Sequence, residues 1–229
     1  MDKVLIEKEA RRVQYEVWSQ RALLWPMGEP RPEALFEPRV VARILGLEFE
    51  FRDHLEADGS RGQGSIAAGQ LDRRRGILAV STEFNYPTQR FTAAHEIGHF
   101  VIHPWIGDKV VHRDRPVYEL GRSARPVLEQ EADYFAACLL VPRQALVKEF
   151  EARFGTRKPL PLTETIAFHL KEANPNRLFS APKGSLLFGS ELARAQSFDT
   201  NRFRSLADCF GVSTSAMSIR LREVGLVQD

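Results

Sequence analysis

Cysteine is scarce in this chain. Its 229 residues include two, Cys138 and Cys209, too few for the disulfide framework of a small secreted domain. Long hydrophobic runs are missing as well, and none reaches the roughly 18 residues that a membrane span requires. Charge of one sign is not in excess: 32 basic and 30 acidic side chains leave a formal charge of +2. That balance argues against a protein whose main task is to coat nucleic acid or an anionic membrane. The opening segment, MDKVLIEKEARR, is charged where a signal peptide turns apolar. Internal repeats, low-complexity tracts and heptad runs are absent too. With 43% apolar and 27% charged residues, wholesale disorder is excluded, and the length suits one or two domains. The expectation is a soluble, cytoplasmic protein with no membrane association.

The pattern along the chain predicts mixed helices and strands. Residues 3–24 have helical spacing and lead into a Pro-rich connection, WPMGEPRPEALFEP. Glu37–Leu45 reads as a short helix with Pro38 in its first turn and Gly46 as its stop. Leu47–Phe51 alternates with period two, as a half-buried strand does. Two apolar runs, Ser65–Ala68 and Gly76–Ser81, flank a polar DRRR and form a hairpin signal. From Thr88 the spacing turns helical, over Thr88–His103, Val127–Val141 and Arg143–Phe154. The Gly- and Pro-bearing stretch 155–162 is the clearest boundary. The domain reading is therefore an N-terminal helix and connection over 1–32, a central domain over 33–156 and a helical subdomain over 157–229. The fold class is α+β: a small antiparallel sheet packed with a helix bundle.

Chemistry concentrates at His95-Glu96-Ile97-Gly98-His99, an HExxH on a predicted helix. Histidines four apart share a face, with Cβ atoms about 5–6 Å apart, so two imidazoles reach one zinc ion. Glu96 is turned about 100° around the helix, which lets its carboxylate meet a metal-activated water while staying off the metal. It is the expected general base, and it later hands the proton to the departing amine. Phe91, His95, His99 and Ile102 line one face, while Ile97, Phe100 and Val101 cover the other. A helix apolar nearly all round is a buried one, and two buried histidines beside a carboxylate need a shared purpose.

A third ligand comes from elsewhere. The metzincin extension needs Gly and His where Ile102 and Trp105 stand, so that class is excluded. The next helix offers Glu129, Glu131 and Asp133. With Leu128, Ala132, Phe135 and Leu139 as its core-facing stripe, Glu131 lies about 60° from the stripe's centre, beside Cys138. Glu129 and Asp133 then fall on the solvent-leaning side, which makes Glu131 the geometric choice. His103, four residues beyond His99, is expected to support the site rather than to ligate. His112, Asp114 and Tyr118 read as ordinary loop residues, His54 and His169 have no assigned partner, and Arg73–Arg75 reads as a solvated hairpin tip. Two His and a Glu suit zinc, without separating it from manganese or iron.

At this point the residues resemble a family. His95-Glu-Ile-Gly-His99, followed by Glu129-Gln-Glu-Ala-Asp-Tyr-Phe-Ala-Ala-Cys-Leu-Leu-Val-Pro142, is similar to the ImmA/IrrE metallopeptidases. There an HExxH helix precedes an E-x-E-A-x-x-F-A-x-x-L-L-x-P helix. Leu206–Leu226 also resembles that family's closing segment, and Asp133 departs from it, standing where Asn is common. The resemblance implies a gluzincin-like zinc endopeptidase in which His95, His99 and Glu131 hold the metal and Glu96 is the base. It further implies a DNA-binding repressor as substrate, and so a part in transcription regulation and stress response. A sensor domain of the kind found in longer radiation-response members is not expected after the C-terminal segment, and a radiation role is correspondingly not expected.

Arg202–Leu226 has a helix-turn-helix outline, with a turn at Gly211 and Ser213 as cap of the second helix. Residues 201–229 carry four Arg against Asp208, Glu223 and Asp229, a weak footprint for DNA. Packing or protein contact is favoured over DNA contact. The alternative function is a DNA-binding regulator whose metal site is structural or vestigial, and a toxin-like or adaptor protein is a third.

Overall fold

Asp2 caps the first helix through Val4 N and Leu5 N, and from there Ile6, Ala10, Val13 and Val17 recur on one buried stripe. The computed structural model describes residues 1–28, 30–53, 55, 67–106, 126–170 and 175–228, together with the backbone of 109–112. They group into two compact units, Met1–Leu140 and Val141–Asp229. The break falls before the helix that starts at Arg143, ahead of the Pro- and Gly-bearing stretch that the composition singles out.

The first unit contains α1 (Lys3–Ser19), α2 (Arg21–Leu24), α3 (Pro32–Leu35), α4 (Pro38–Ile44), β1 (Glu48–Arg52), β2 (Gly69–Asp72), β3 (Ile77–Ser81), α5 (Tyr86–Ile102), β4 (Lys109–His112) and α6 (Val127–Leu140). With helices packed on small sheets, the fold is α+β. The larger sheet has the order β1-β3-β2-β4. The β2–β3 hairpin is present, with Gly69 opposite Val80 and a turn that ends at Gly76, φ 69°. Its first strand begins at Gly69, just after the apolar run that announces it. The sheet is not wholly antiparallel, because β1 runs parallel to β3, Glu48 opposite Ile77. Alternation reports which face a strand buries and is silent on its direction.

Leu71, Leu78 and Val80 from the sheet and Ala93, Ala94 and Ile97 from α5 are buried to 1% exposure or less, as are Phe135 and Leu139 from α6. Helix α5 therefore lies between the sheet and α6. A Cβ at Gly98 would come within 3.1 Å of the Phe135 ring and 3.2–3.3 Å of the Ala132 backbone. Glycine here lets the two helices approach closely. On the other side of α6, α1 packs its stripe. Gln14 Nε2 donates to the carbonyls of Cys138 (2.8 Å) and Leu139 (3.2 Å) at the end of α6. No helix among the described residues is long and apolar enough to cross a membrane.

The second unit holds α7 (Arg143–Phe154), β5 (Leu160–Pro161), α8 (Glu164–His169), α9 (Pro175–Phe179), α10 (Leu187–Arg194), β6 (Ser197–Phe198), β7 (Asn201–Arg202), α11 (Leu206–Phe210), α12 (Thr214–Val224) and β8 (Val227–Gln228). Its core is built from Leu146, Phe150, Leu192, Leu206, Phe210, Met217 and Leu221. Gly211, φ 62°, ends α11, and Ser213 caps α12 by accepting from Ala216 N at 3.1 Å. Helix α12 packs on α10, where a Cβ at Gly189 would meet Ser218 Oγ at 2.6 Å. Both cysteines are buried.

Candidate metal centre

Asn85 starts α5 by accepting from Thr88 N at 3.1 Å, with Pro87 in the first turn. The helix then buries a continuous segment, Thr92–His99, as its all-round apolar pattern predicts. His95, Glu96 and His99 are each 1% exposed or less. The two imidazoles turn their Nε2 atoms toward each other at 3.1 Å. Glu129 of α6 completes the group, Oε2 lying 3.2 Å from His95 Nε2 and Oε1 3.3 Å from His99 Nε2. Ligands about 2.1 Å from a tetrahedral ion sit about 3.4 Å from one another, so these separations fit a metal between them. His95, His99 and Glu129 form the metal-competent cluster among the described residues.

Glu131, the carboxylate that the helical wheel selects, is not in that cluster. Its Oε2 lies 3.0 Å from His103 Nε2 instead. The wheel assumed one buried stripe with solvent opposite, whereas α6 is packed by α1 on one side and α5 on another. The side facing α5 runs through Ala132 at Gly98, flanked by Glu129 and Asp133, four residues apart. Two carboxylates thus face inward from positions that look polar and solvent-directed. The legible signal was their spacing, which repeats the four-residue spacing of the histidines they meet.

Asp133 Oδ1 lies 2.9 Å from His95 Nδ1. A carboxylate there holds the proton on Nδ1 and leaves the Nε2 lone pair for a metal. Burial lowers the pKa of His95, and the bonds to Asp133 and Glu129 outweigh it. Without metal, the ring holds its proton well above the ordinary range. Glu96 stands beside strand β2: a Cβ at Gly69 would be 3.3 Å from Glu96 Cγ and 2.5 Å from Thr92 Cγ2. Any side chain at position 69 would displace the strand, Thr92 or Glu96.

Arg73 is not part of a solvated tip. Its Nη2 donates to the carbonyls of His99 and His103, the latter at 3.0 Å, and Nη1 reaches Phe100 O at 3.4 Å. The hairpin thereby caps the last turn of α5. Burial pulls the guanidinium's pKa down, opposed by the charge of Glu96. Arg74 and Arg75 do remain exposed. His103 is buried at 1% exposure, with Nδ1 2.9 Å from His99 Nδ1, in keeping with a supporting place. His169 lies in the second unit, 3.3 Å from Asp199 Oδ1. His54, Asp114, Tyr118 and the side chain of His112 lie outside the described residues.

Residues 58–171 match a known family, the IrrE N-terminal-like domain of the M78 peptidases. The match takes in β2, β3, α5 and α6, and with them every residue of the cluster. Leu206–Leu226 lies beyond it. No curated protein matches the chain significantly.

Proposed function

The chain belongs to the M78 peptidase family through its IrrE N-terminal-like domain at 58–171, and from that premise we propose a zinc-dependent endopeptidase. The observation that carries this reading is the convergence of His95, His99 and Glu129 beside a glutamate, Glu96, that follows His95 and stays out of the cluster. His95 and His99 would hold the metal through Nε2 and Glu129 through its carboxylate, with manganese and iron as the other metals this donor set suits. When bound, the metal supplies Lewis acidity and an acidified water. Glu96 accepts a proton from the attacking water and returns it to the leaving amine as the peptide bond breaks. Its burial against Gly69 holds it ready without side-chain reorganisation. Asp133 fixes the orientation of His95, and Arg73 ties down the helix end that carries His99.

An extended peptide adding to the β4 edge of the sheet is the substrate-binding mode we favour, since β4 neighbours the strand that bears Gly69. The substrate we propose, on the family resemblance, is a DNA-binding repressor, cut in the cytoplasm to release its genes. For the C-terminal helices we favour protein contact over DNA. Arg220 is buried and donates to Val141 O at 3.1 Å, while Arg222 donates to the carbonyls of Gly184 and Ser185. Both arginines of α12 are thus engaged within their own unit.

The test is co-expression with a candidate DNA-binding repressor, wild type against Glu96→Gln. Cleavage by the wild type alone supports the reading. An intact repressor with both, under every stress tried, removes the proposed substrate. Metal content after gentle purification separately tests the site: below half an equivalent, with no gain on adding zinc, the peptidase reading fails.

A further inference from the structure

His95 and His99 are supported in different ways. His95 meets a carboxylate directly, at Asp133. His99 meets another imidazole, with 2.9 Å between its Nδ1 and that of His103, and His103 Nε2 lies 3.0 Å from Glu131 Oε2. This chain has one consistent proton arrangement once His99 Nε2 faces a cation. The proton of His99 must sit on Nδ1, and it donates to His103 Nδ1. His103 then carries its own proton on Nε2 and donates it to Glu131. Each atom has one role, and the chain ends on a carboxylate, the strongest acceptor available. His99 and His103 are both buried to 1% exposure or less, so solvent offers neither a substitute partner.

We propose that His103 and Glu131 form a positioning pair that aims the Nε2 lone pair of His99 at the metal. The proposal rests on His95, His99 and Glu129 being the metal ligands. The two imidazoles are neighbours on α5 because a third histidine repeats the four-residue spacing, and Trp105 stacks edge-on against His103 with ring centres 5.5 Å apart. Glu131 has a second neighbour, the amino group of Met1 at 3.8 Å from Oε1, so substitutions at His103 isolate the effect better than those at Glu131.

The experiment uses the full chain stripped of metal, with zinc affinity read by competition against a chromogenic chelator. Wild type, His103→Leu, His103→Asn and Glu131→Ala are compared. Leucine keeps bulk but offers no acceptor, and affinity should fall about 10–100-fold. Asparagine puts an amide oxygen near the place of Nδ1 and should recover most of that loss. Glu131→Ala should lie between wild type and His103→Leu. In the zinc-loaded wild type, two-bond proton–nitrogen spectra should show His99 as the Nδ1–H tautomer and His103 as the Nε2–H tautomer. Unchanged affinity in His103→Leu overturns the proposal, as does the opposite tautomer of His99. A fall in the melting temperature of metal-free His103→Leu without a change in zinc competition also overturns it, since packing alone would give that. If wild type itself binds no zinc, the metal site falls and the pair falls with it. If wild type binds and His103→Leu binds equally, the pair alone is lost.

Discussion

Replacing Glu129 with Ala removes the carboxylate that lies 3.2 and 3.3 Å from two buried imidazole nitrogens. Two nitrogens alone hold zinc poorly, so Glu129→Ala should lose its metal on desalting, while Glu131→Ala should retain it. Metal analysis of the two purified variants separates them, and metal retained in both would remove Glu129 from the site. Glu96→Gln should keep its metal and lose about 10²–10⁴-fold in peptide cleavage. Asp133→Asn tests the support of His95. In the metal-free protein His95 keeps its proton above the usual 6.5. Binding a metal must displace that proton, so affinity should climb with pH and level off once the raised value is passed. Asn lacks the charge that raises it, so the climb should shift to lower pH. The linkage for the metal-free fold has the opposite sense. A raised histidine contributes stability below its unfolded value, and this is lost as pH rises through the folded one. Isothermal titration across pH 5–9 measures the first effect, and urea unfolding of the metal-free protein the second. A pH profile unchanged in Asp133→Asn would contradict the assigned role.

Among the elements, the contact of α5 with α6 is the one the site depends on. A methyl at Gly98 would press on Phe135 and on the Ala132 backbone at 3.1–3.3 Å. Overpacking of this kind costs about 1–3 kcal/mol and pushes Glu129 away from the histidines. Gly98→Ala should therefore lower both thermal stability and zinc affinity. Ser213→Ala, by contrast, removes a cap from α12 in the second unit. It should cost about 1 kcal/mol by denaturant unfolding and leave zinc affinity unchanged. Helix signals were legible because they are local. Pro38 and Gly46 bracket α4, Pro142 precedes α7, and Ser213 caps α12, each through atoms within a few residues. The direction of β1 was not legible, since it depends on how the chain crosses from one strand to another. Nor was the choice among Glu129, Glu131 and Asp133, because it turns on which neighbour packs on which side of α6. Arg73 was missed for the same reason: what makes it functional is a helix end 26 residues away in sequence.

For the molecule as a whole, the near-balanced charge gains significance from where its arginines go. Arg73, Arg153, Arg220 and Arg222 all donate to backbone carbonyls. Basic residues that cap backbone are withdrawn from any surface that would track phosphate. Duplex binding should accordingly be no tighter than the non-specific range of about 10⁻⁴–10⁻⁶ M at physiological salt. Fluorescence anisotropy with a labelled duplex checks this, and tight, salt-sensitive binding would reopen the regulator alternative. Compositional balance alone could not distinguish a protein-directed chain from one with a hidden basic face.

The β2–β3 turn puts two exposed arginines, Arg74 and Arg75, directly after the one that grips the end of the HExxH helix. Trypsin-like proteases cut after arginine in exposed turns. A single nick there would leave His95 and His99 on an intact α5 and Glu129 on an intact α6, while cutting the link between Arg73 and β3. The chain thus carries, in one surface turn, a point where limited digestion should disable it before any helix unravels.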